Sequence, residues 1–103
     1  MSKKMKEIRN EFRDAVFQRD GFRCKVCSDG NSKLDAHHIT DRNEMPNGGY
    51  VPENGISLCP SCHEKAELYH STGISHPGCS PDELYELIES SYESAFFAAQ
   101  KLG

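Results

Sequence analysis

Two pairs of cysteines constrain the fold of this chain more than any other feature of its sequence. Cys24 and Cys27 form one CxxC pair, and Cys59 and Cys62 form a second. Four thiolates are the ligand set of a closed tetrahedral zinc site. A redox role for one pair is the alternative, but the sequence lacks the βαβ pattern that flanks thioredoxin-like motifs, and the second pair would have no role. The spacing therefore predicts one structural zinc ion held by all four sulfurs.

The composition explains why such a chain needs a metal cross-link. Its 103 residues are enough for one domain, but only 36% of them are hydrophobic and none is tryptophan. The core of so short a chain is thin. A bound metal would add the stability that the core lacks.

The N-terminal segment, MSKKMKEIRNEF, indicates the compartment. It is charged and lacks the apolar stretch of a signal peptide, and no apolar run in the chain reaches the length of a membrane span. We therefore expect a cytoplasmic protein that does not bind membranes. In such a reducing compartment, paired cysteines bind metal rather than form disulfides.

The net charge of −4 is distributed unevenly along the chain. Residues 1–25 carry a net charge of +4, whereas residues 26–70 and residues 71–103 carry −4 each. The basic end includes Lys3, Lys4, Lys6, Arg9 and Arg13. A basic end can contact the phosphates or bases of a nucleic acid, and an acidic middle segment can hold a cation.

Hydrophobic spacing predicts a helix at each end of the chain. Apolar residues recur at helical intervals over about residues 4–19. A second helix is expected over about residues 81–101, where Ser80 fits the N-cap, Pro81 the first helical position and Glu83 the capping box. The apolar stripe of this second helix is typical of core packing, although it can also form an interface.

The middle of the chain has the pattern of a β-hairpin followed by a helix. Residues 34–40, LDAHHIT, and residues 56–58, ISL, predict two short strands. The Asn-, Gly- and Pro-rich residues 41–54 between them predict a long loop. Helical character follows over about residues 61–69.

Closure of both cysteine pairs on one ion would bring this hairpin against that helix. His37 and His38 would then lie close to His63 and Glu67, which share one helix face at positions i and i+4. Because neighbouring side chains on a strand point to opposite faces, a shared task for the two adjacent histidines requires the strand to twist or end there. Each residue alone also has an ordinary explanation, such as a turn at Asn54.

The order of these residues resembles the HNH endonuclease family. A His-His-Ile run is followed by Asn54 and then by His63, which comes directly after the second CxxC pair. The segments RDGFRC and NGISLCPSCH are similar to the zinc-stapled branch of that family. The resemblance covers about residues 19–67.

The resemblance implies an α+β fold. The expected core is a small ββα-metal unit, treble-clef-like, over about residues 19–70, stapled by the four-cysteine zinc. The N-terminal helix, about residues 4–19, and the C-terminal helix, about residues 81–101, flank this core. Residues 1–103 would then form a single HNH nuclease domain.

The resemblance also implies a role for each residue of the motif. His37 would be a metal ligand at the end of the first strand, and His38 the general base. Asn54 would brace the loop against the base or contact the metal. His63 would be a ligand from the helix, and Glu67, where some members have another histidine, a further ligand.

These residue types suit phosphodiester hydrolysis. A neutral imidazole such as that of His38 can accept a proton from the attacking water. One divalent cation held by His37, His63 and Glu67 can neutralise charge on the phosphate and on the departing oxygen. Ligation by imidazole and carboxylate allows magnesium but favours manganese or another transition metal.

The predicted function is therefore a metal-dependent DNA endonuclease that leaves a 5′ phosphate. A monomer with one cleaving centre would nick one strand per event, and a dimer through the C-terminal helix would be needed to cut both. A non-catalytic zinc-finger module that binds nucleic acid or protein is the alternative, and an interaction adaptor built on the C-terminal stripe is a third. His70, His76 and Cys79 stand outside the motif, as a further possible site or as ordinary loop residues.

Overall fold

A two-stranded antiparallel hairpin lies at the centre of the computed structural model, which describes residues 4–102. The strands are β1 (Asp35–His38) and β2 (Gly55–Leu58). In their register Asp35 pairs with Leu58, and His38 pairs with Gly55. The helices are α1 (Met5–Arg19), α2 (Pro60–Thr72), α3 (Pro81–Leu87) and α4 (Tyr92–Gln100). This arrangement confirms the predicted α+β class with a hairpin followed by a helix.

Helix α1 packs directly on the hairpin because Gly55 has no side chain. A Cβ atom at Gly55 would lie 2.5 Å from Cγ2 of Val16 and 2.6 Å from Cε1 of Phe12. Both of these α1 residues are buried, and they form a small hydrophobic cluster with Tyr50. The close approach places the exposed, basic side of α1 beside β1.

An ion pair joins the end of α1 to the second strand. The buried carboxylate of Asp20 accepts a hydrogen bond from the backbone N–H of Ser57 at 2.8 Å. The guanidinium of Arg19 donates to the same carboxylate and, at 2.6 Å, to the carbonyl oxygen of Gly55. These contacts give the Arg-Asp pair of the RDGFRC segment a structural task.

The long connection between the strands is folded into three short 3₁₀ helices. They span Arg42–Glu44, Pro46–Gly49 and Pro52–Asn54. Gly49 has a φ of +66°, and a Cβ atom there would lie 2.7 Å from Nδ2 of Asn54. The predicted loop is therefore compact and tied to the end of the hairpin.

The prediction of one helix over residues 81–101 is wrong. Helix α3 ends at Leu87, and Glu89 adopts a left-handed φ of 55°, which an α-helix does not tolerate in its interior. Ser91 then starts α4, since its side chain accepts a hydrogen bond from the N–H of Ser94 at 3.1 Å. Ser91 thus supplies a second N-cap, which competes with continuation of the helix.

The apolar stripe of this region does pack into the core. Leu84, Ala95 and Ala99 are fully buried in the main cluster, which also contains Cys24, Cys59, Cys62 and Cys79. Phe97 on the opposite side is 62% exposed. Over residues 4–102, no helix combines the length and apolarity needed to cross a membrane.

Candidate functional site

The four paired cysteines meet at one point, as predicted. Their sulfur atoms all lie within 4.8 Å of one another, and none is in a disulfide. Sulfurs placed about 2.3 Å from a zinc ion at tetrahedral corners lie about 3.8 Å apart. The distance of 3.6 Å between the sulfurs of Cys27 and Cys59 fits that geometry. The cluster can therefore hold a structural zinc.

Backbone hydrogen bonds shape the first cysteine pair. The N–H of Ser28 donates to the carbonyl of Cys24 at 2.8 Å, and the N–H of Lys25 donates to the carbonyl of Ser57 at 2.9 Å, which ties the first pair to β2. Burial raises the pKa of Cys24, but hydrogen bonds from the backbones of Cys27, Cys59 and Val26 outweigh it and bring the pKa down to about 7. A thiol that ionises near neutral pH suits metal binding.

The adjacent histidines lie at the end of β1 and point to opposite faces of the hairpin. His37 is 2% exposed and faces α2. Its ring centroid lies 5.1 Å from that of His63 and 5.3 Å from that of His70. The strand ends at His38, as predicted for a pair that must serve one site from two faces.

His38 faces α1 and the loop. Its ring stacks on Phe12 with centroids 4.6 Å apart and meets the edge of Tyr50 at 4.7 Å. Burial lowers the pKa of His38 to about 4, and the nearby charge of Arg42 contributes in the same direction. The imidazole is therefore neutral at physiological pH and held in one orientation by aromatic contacts.

His37 is also neutral. Burial lowers its pKa to about 3, with additional contributions from His63, His70 and His38. Its Nδ1 lies 3.1 Å from Oε1 of Glu67. This buried nitrogen nevertheless makes no hydrogen bond.

His63, the predicted ligand from α2, lies between two carboxylates. Its Nδ1 is 3.2 Å from Oδ2 of Asp35, and its Nε2 is 3.1 Å from Oε1 of Glu67. The structure thus brings His63 next to the other predicted ligands His37 and Glu67. Asp35, on β1, had not been assigned a role from the sequence.

The residue that sequence reasoning missed is His70. It forms, with His37 and Glu67, a group whose ligand atoms lie within 4.8 Å of one another. The signal was present in the spacing, because His63, Glu67 and His70 stand at positions i, i+4 and i+7 of one helix and share a face. It was overlooked because residue 70 lies beyond the family motif.

Asn54 braces the end of β1 and is fully buried. Its Oδ1 accepts hydrogen bonds from the N–H of Thr40 at 2.9 Å and from the hydroxyl of Tyr85 at 2.7 Å. Its Nδ2 donates to the carbonyls of Thr40 at 3.1 Å and Gly49 at 3.2 Å. Of the two alternatives for this residue, the structure supports bracing of the loop that follows His38.

A cleft of about 690 Å³ runs between α1 and α2 along the outer side of β1. Its polar floor contains both strand histidines and the α2 residues opposite them, namely His37, His38, His63, Glu67 and His70. Its basic residues are Arg9, Arg13, Lys33 and Arg42. Lys4 and Lys6 do not line it, and Lys3 lies outside the described residues. Three carboxylates, those of Asp35, Asp41 and Glu67, also line it, so the cations of the cleft outnumber its anions by one in a chain of net negative charge.

The remaining histidine and cysteine do not form a third cluster in the described part of the chain. Cys79 is buried in the main core, and His76 donates from Nδ1 to the carbonyl of Pro77 at 3.1 Å. His70, their possible partner, belongs to the cleft. Within residues 4–102, the groups able to hold a metal are the four cysteines and the histidine–carboxylate group.

Fold and site together define a small α+β domain with a four-cysteine cluster that can hold a metal and a cleft lined by histidines and arginines. The HNH endonuclease family model matches residues 24–67, which confirms the family resemblance over the hairpin, the cysteine pairs and the start of α2. This segment of the chain is similar to an HNH endonuclease domain.

A curated relative extends the comparison. A protein of Nostoc sp. (strain PCC 7120 / SAG 25.82 / UTEX 2576) described as Anaredoxin is 39% identical over 51 residues. The aligned part covers 50% of this chain and 60% of the relative, so the chain spans less than two thirds of that protein's length. No solved structure matches the chain.

Proposed function

We propose that this chain is a metal-dependent endonuclease that hydrolyses phosphodiester bonds in DNA. The observation that carries the proposal is the shared cleft: His38 and the group formed by His37, Glu67 and the α2 histidines line one basic groove. The match to the HNH endonuclease family supports the same reaction class. A module that only bound nucleic acid would have no need for two neutral imidazoles there.

His38 would act as the general base. Its low pKa of about 4 keeps the ring unprotonated at neutral pH, so that it can accept a proton from water. Phe12 and Tyr50 fix the plane of the ring. Asn54 holds the backbone two residues further on, so Asn54 would be a positioning residue rather than a catalytic one.

The catalytic cation would be held by His37, by Glu67 and by an α2 imidazole that lines the cleft, that of His63 or His70. The residues fit such an ion, because Nδ1 of His37 is buried without a hydrogen-bond partner beside a carboxylate oxygen. A bound divalent cation would neutralise charge on the phosphate and the departing 3′ oxygen. Imidazole and carboxylate donors favour manganese or another transition metal over magnesium.

The cleft cations would hold the DNA backbone. Arg9 and Arg13 are exposed on α1, one turn apart, and Arg42 of the loop after β1 lines the same cleft. Phosphate contacts of this kind position a duplex without reading its sequence. A single cleaving centre in a monomer would then cut one strand per event.

The test is incubation of the zinc-loaded protein with supercoiled plasmid and added manganese or magnesium. Open-circular DNA is expected before linear DNA, and chelation of the added ion should stop the reaction. Cleavage that is absent although the folded protein binds manganese and DNA would favour the non-catalytic binding module. Linear DNA as the first product at low protein concentration would favour a functional dimer.

A further inference from the structure

We propose that a crevice between α2, α3 and α4 is a docking site for an arginine side chain from a basic segment of a partner protein. We call this crevice the tyrosine pocket, because Tyr69, Tyr85 and Tyr92 line it, and its volume is about 250 Å³. It is distinct from the cleft of the proposed nuclease site, although His70 lines both. Binding there is independent of the proposed nuclease function and can be tested without DNA or a divalent cation.

The three tyrosines bring aromatic rings from three helices to one place. Tyr69 belongs to α2, Tyr85 to α3 and Tyr92 to α4. Tyr85 is buried, whereas Tyr69 is 38% exposed and Tyr92 is 45% exposed, so two of the rings are accessible to a ligand. The face of an aromatic ring attracts a cation, and a planar guanidinium also stacks on it.

Two carboxylates give the tyrosine pocket a negative charge. Glu44, from the first 3₁₀ helix, and Asp82, at the start of α3, both line it. Among residues 4–102, neither carboxylate has an ion-pair partner, and no lysine or arginine lines the pocket. A positively charged group is therefore attracted to the pocket, whereas the phosphates of DNA are repelled from it.

Next to Tyr85, the pocket offers hydrogen-bond acceptors. The hydroxyl of Tyr85 donates its proton to Oδ1 of Asn54 at 2.7 Å. The hydroxyl of Thr40, which also lines the pocket, lies 2.6 Å from the Tyr85 oxygen, so Thr40 is the donor of that bond and its own oxygen can accept another. A guanidinium has five N–H donors and no acceptor, and its planar fork matches a carboxylate. Arginine therefore fits this lining better than lysine, whose ammonium is compact and strongly hydrated.

The size and openness of the pocket favour a protein side chain over a free small molecule. Sites for small molecules usually enclose about 300–1,000 Å³ and cover most of the ligand. The tyrosine pocket is smaller, and two of its rings are exposed. Arginine side chains that fill such pockets are common anchors of protein interfaces, where the surrounding contacts exclude water. Thr40 and Tyr85 also bind Asn54, so a partner in this pocket would contact the residues that support the cleft.

The test is an NMR titration of the zinc-loaded full chain, without DNA or added divalent cation. The ligands are a glycine peptide with one central arginine and the same peptide with citrulline, which has nearly the shape of arginine but no charge. Shifts of the ring protons of Tyr69 and Tyr92 give the dissociation constants. The variants are Asp82→Asn and Tyr92→Leu. Their matched controls are Glu86→Gln on α3 and Phe97→Leu on α4, which change a carboxylate and an exposed aromatic ring outside the pocket.

The arginine peptide is expected to shift both rings of the wild type. The citrulline peptide should bind about tenfold or more weakly, because it lacks the charge that the carboxylates and the tyrosine faces attract. Asp82→Asn and Tyr92→Leu should each weaken binding of the arginine peptide about threefold or more, as measured at Tyr69, and the two controls should not. Equal binding of the arginine and citrulline peptides would overturn the proposal, as would binding that both pocket variants leave unchanged.

Three further outcomes would assign the pocket to another occupant and would also overturn the proposal. Larger ring shifts with deoxyguanosine than with the arginine peptide would indicate a site for an unpaired base. Tighter binding of free arginine than of the peptide would indicate a small-molecule site. Ring shifts that depend on protein concentration in the absence of any ligand would indicate that a second copy of the chain fills the pocket.

Discussion

At the scale of single residues, the two adjacent histidines divide one site between two faces of a strand. His37 points to α2 and is buried among imidazoles and a carboxylate, whereas His38 points to α1 and stacks on Phe12. The alternation of side chains along β1 makes this division unavoidable. Termination of the strand at His38 lets both rings line the same cleft.

If the two rings have different roles, variants of His37 and His38 should lose nicking activity in different ways. His38→Ala removes the proposed base but no ligand, so it should bind manganese and DNA normally and lose roughly 10²- to 10⁴-fold in nicking rate. His37→Ala removes a ligand, so excess manganese should restore part of its rate. Nicking rate measured against manganese concentration distinguishes them. Restoration of His38→Ala by metal alone, with a metal-independent defect in His37→Ala, would reverse the two assignments.

Burial of neutral His37 also predicts a dependence of stability on pH. The unfolded chain takes up a proton on this ring below about pH 6.5, but the folded chain, with a pKa of about 3, does not until much lower pH. The contribution of neutral His37 to folding stability is therefore complete above the pKa that this ring has in the unfolded chain. It is lost as the pH falls from about 6.5 toward 3, by up to about 1.4 kcal/mol per pH unit. The free energy of unfolding, measured by chemical denaturation without added divalent ion, should fall more between about pH 7 and about pH 5 for wild type than for His37→Asn. Equal losses in the two proteins would contradict the burial argument.

At the scale of elements, the four-cysteine cluster joins the turn before the hairpin to the start of α2. Cys59 is the N-cap residue of α2 and Cys24 lies in the main core, so the cluster fixes the angle between hairpin and helix. That angle sets the distance from His37 to Glu67. A metal at the cysteines would thus support the cleft without touching it.

Removal of one zinc ligand should therefore unfold the domain. Cys27→Ser is expected to lose zinc and its cooperative thermal transition, because structural zinc supplies folding free energy directly. Cys79→Ser changes a buried cysteine outside the cluster and is the matched control, expected to keep one zinc per chain. Zinc content by elemental analysis and unfolding by circular dichroism give the two readouts. A folded, zinc-free Cys27→Ser protein would reject the structural role.

The C-terminal elements contribute to the site through Tyr85. Its hydroxyl donates to Asn54 and lies 2.6 Å from the hydroxyl of Thr40, and burial raises its pKa to about 12. The network locks the loop directly after His38. Helix α3 is thus part of the support of the cleft rather than an appended segment.

At the scale of the whole molecule, a protein with a net charge of −4 presents a basic groove to its proposed substrate. The arginines come from α1 and from the loop after β1, which are distant in sequence and line the same cleft. Acidic residues of the C-terminal third lie elsewhere along the chain and do not line the groove. Local rather than net charge should therefore govern DNA binding.

The groove arginines are expected to set the salt dependence of DNA affinity. Arg9→Ala and Arg13→Ala should each weaken binding and lower the slope of log K against log salt by about 0.9 for each phosphate of duplex DNA that the arginine neutralises. Lys101→Ala, which removes a cation outside the groove, is the control. Fluorescence anisotropy with a labelled duplex at several salt concentrations measures the slope. Equal slopes for wild type and all three variants would place the DNA on another surface.

Much of the architecture followed from local patterns. The helix over residues 4–19, the hairpin and the capping box at Ser80 were all predicted, and the structure confirms them. The break between α3 and α4 was missed, since a continuous apolar stripe outweighed the N-cap signal of Ser91. The position of His70 beside His37 was missed because the family motif ends before it.

The sequence by itself determined the four-cysteine cluster, the hairpin-then-helix order and the opposite orientation of His37 and His38. Each of these three features depends on the spacing of residues that are close in sequence, because turns and strands have a fixed geometry that places such residues relative to one another. Only the tertiary structure decided that Asn54 braces a loop, that His63 is held by Asp35, and that His70 reaches His37. Those contacts join residues 14 to 33 positions apart, and their geometry depends on how α2 packs against the hairpin, which no local pattern encodes.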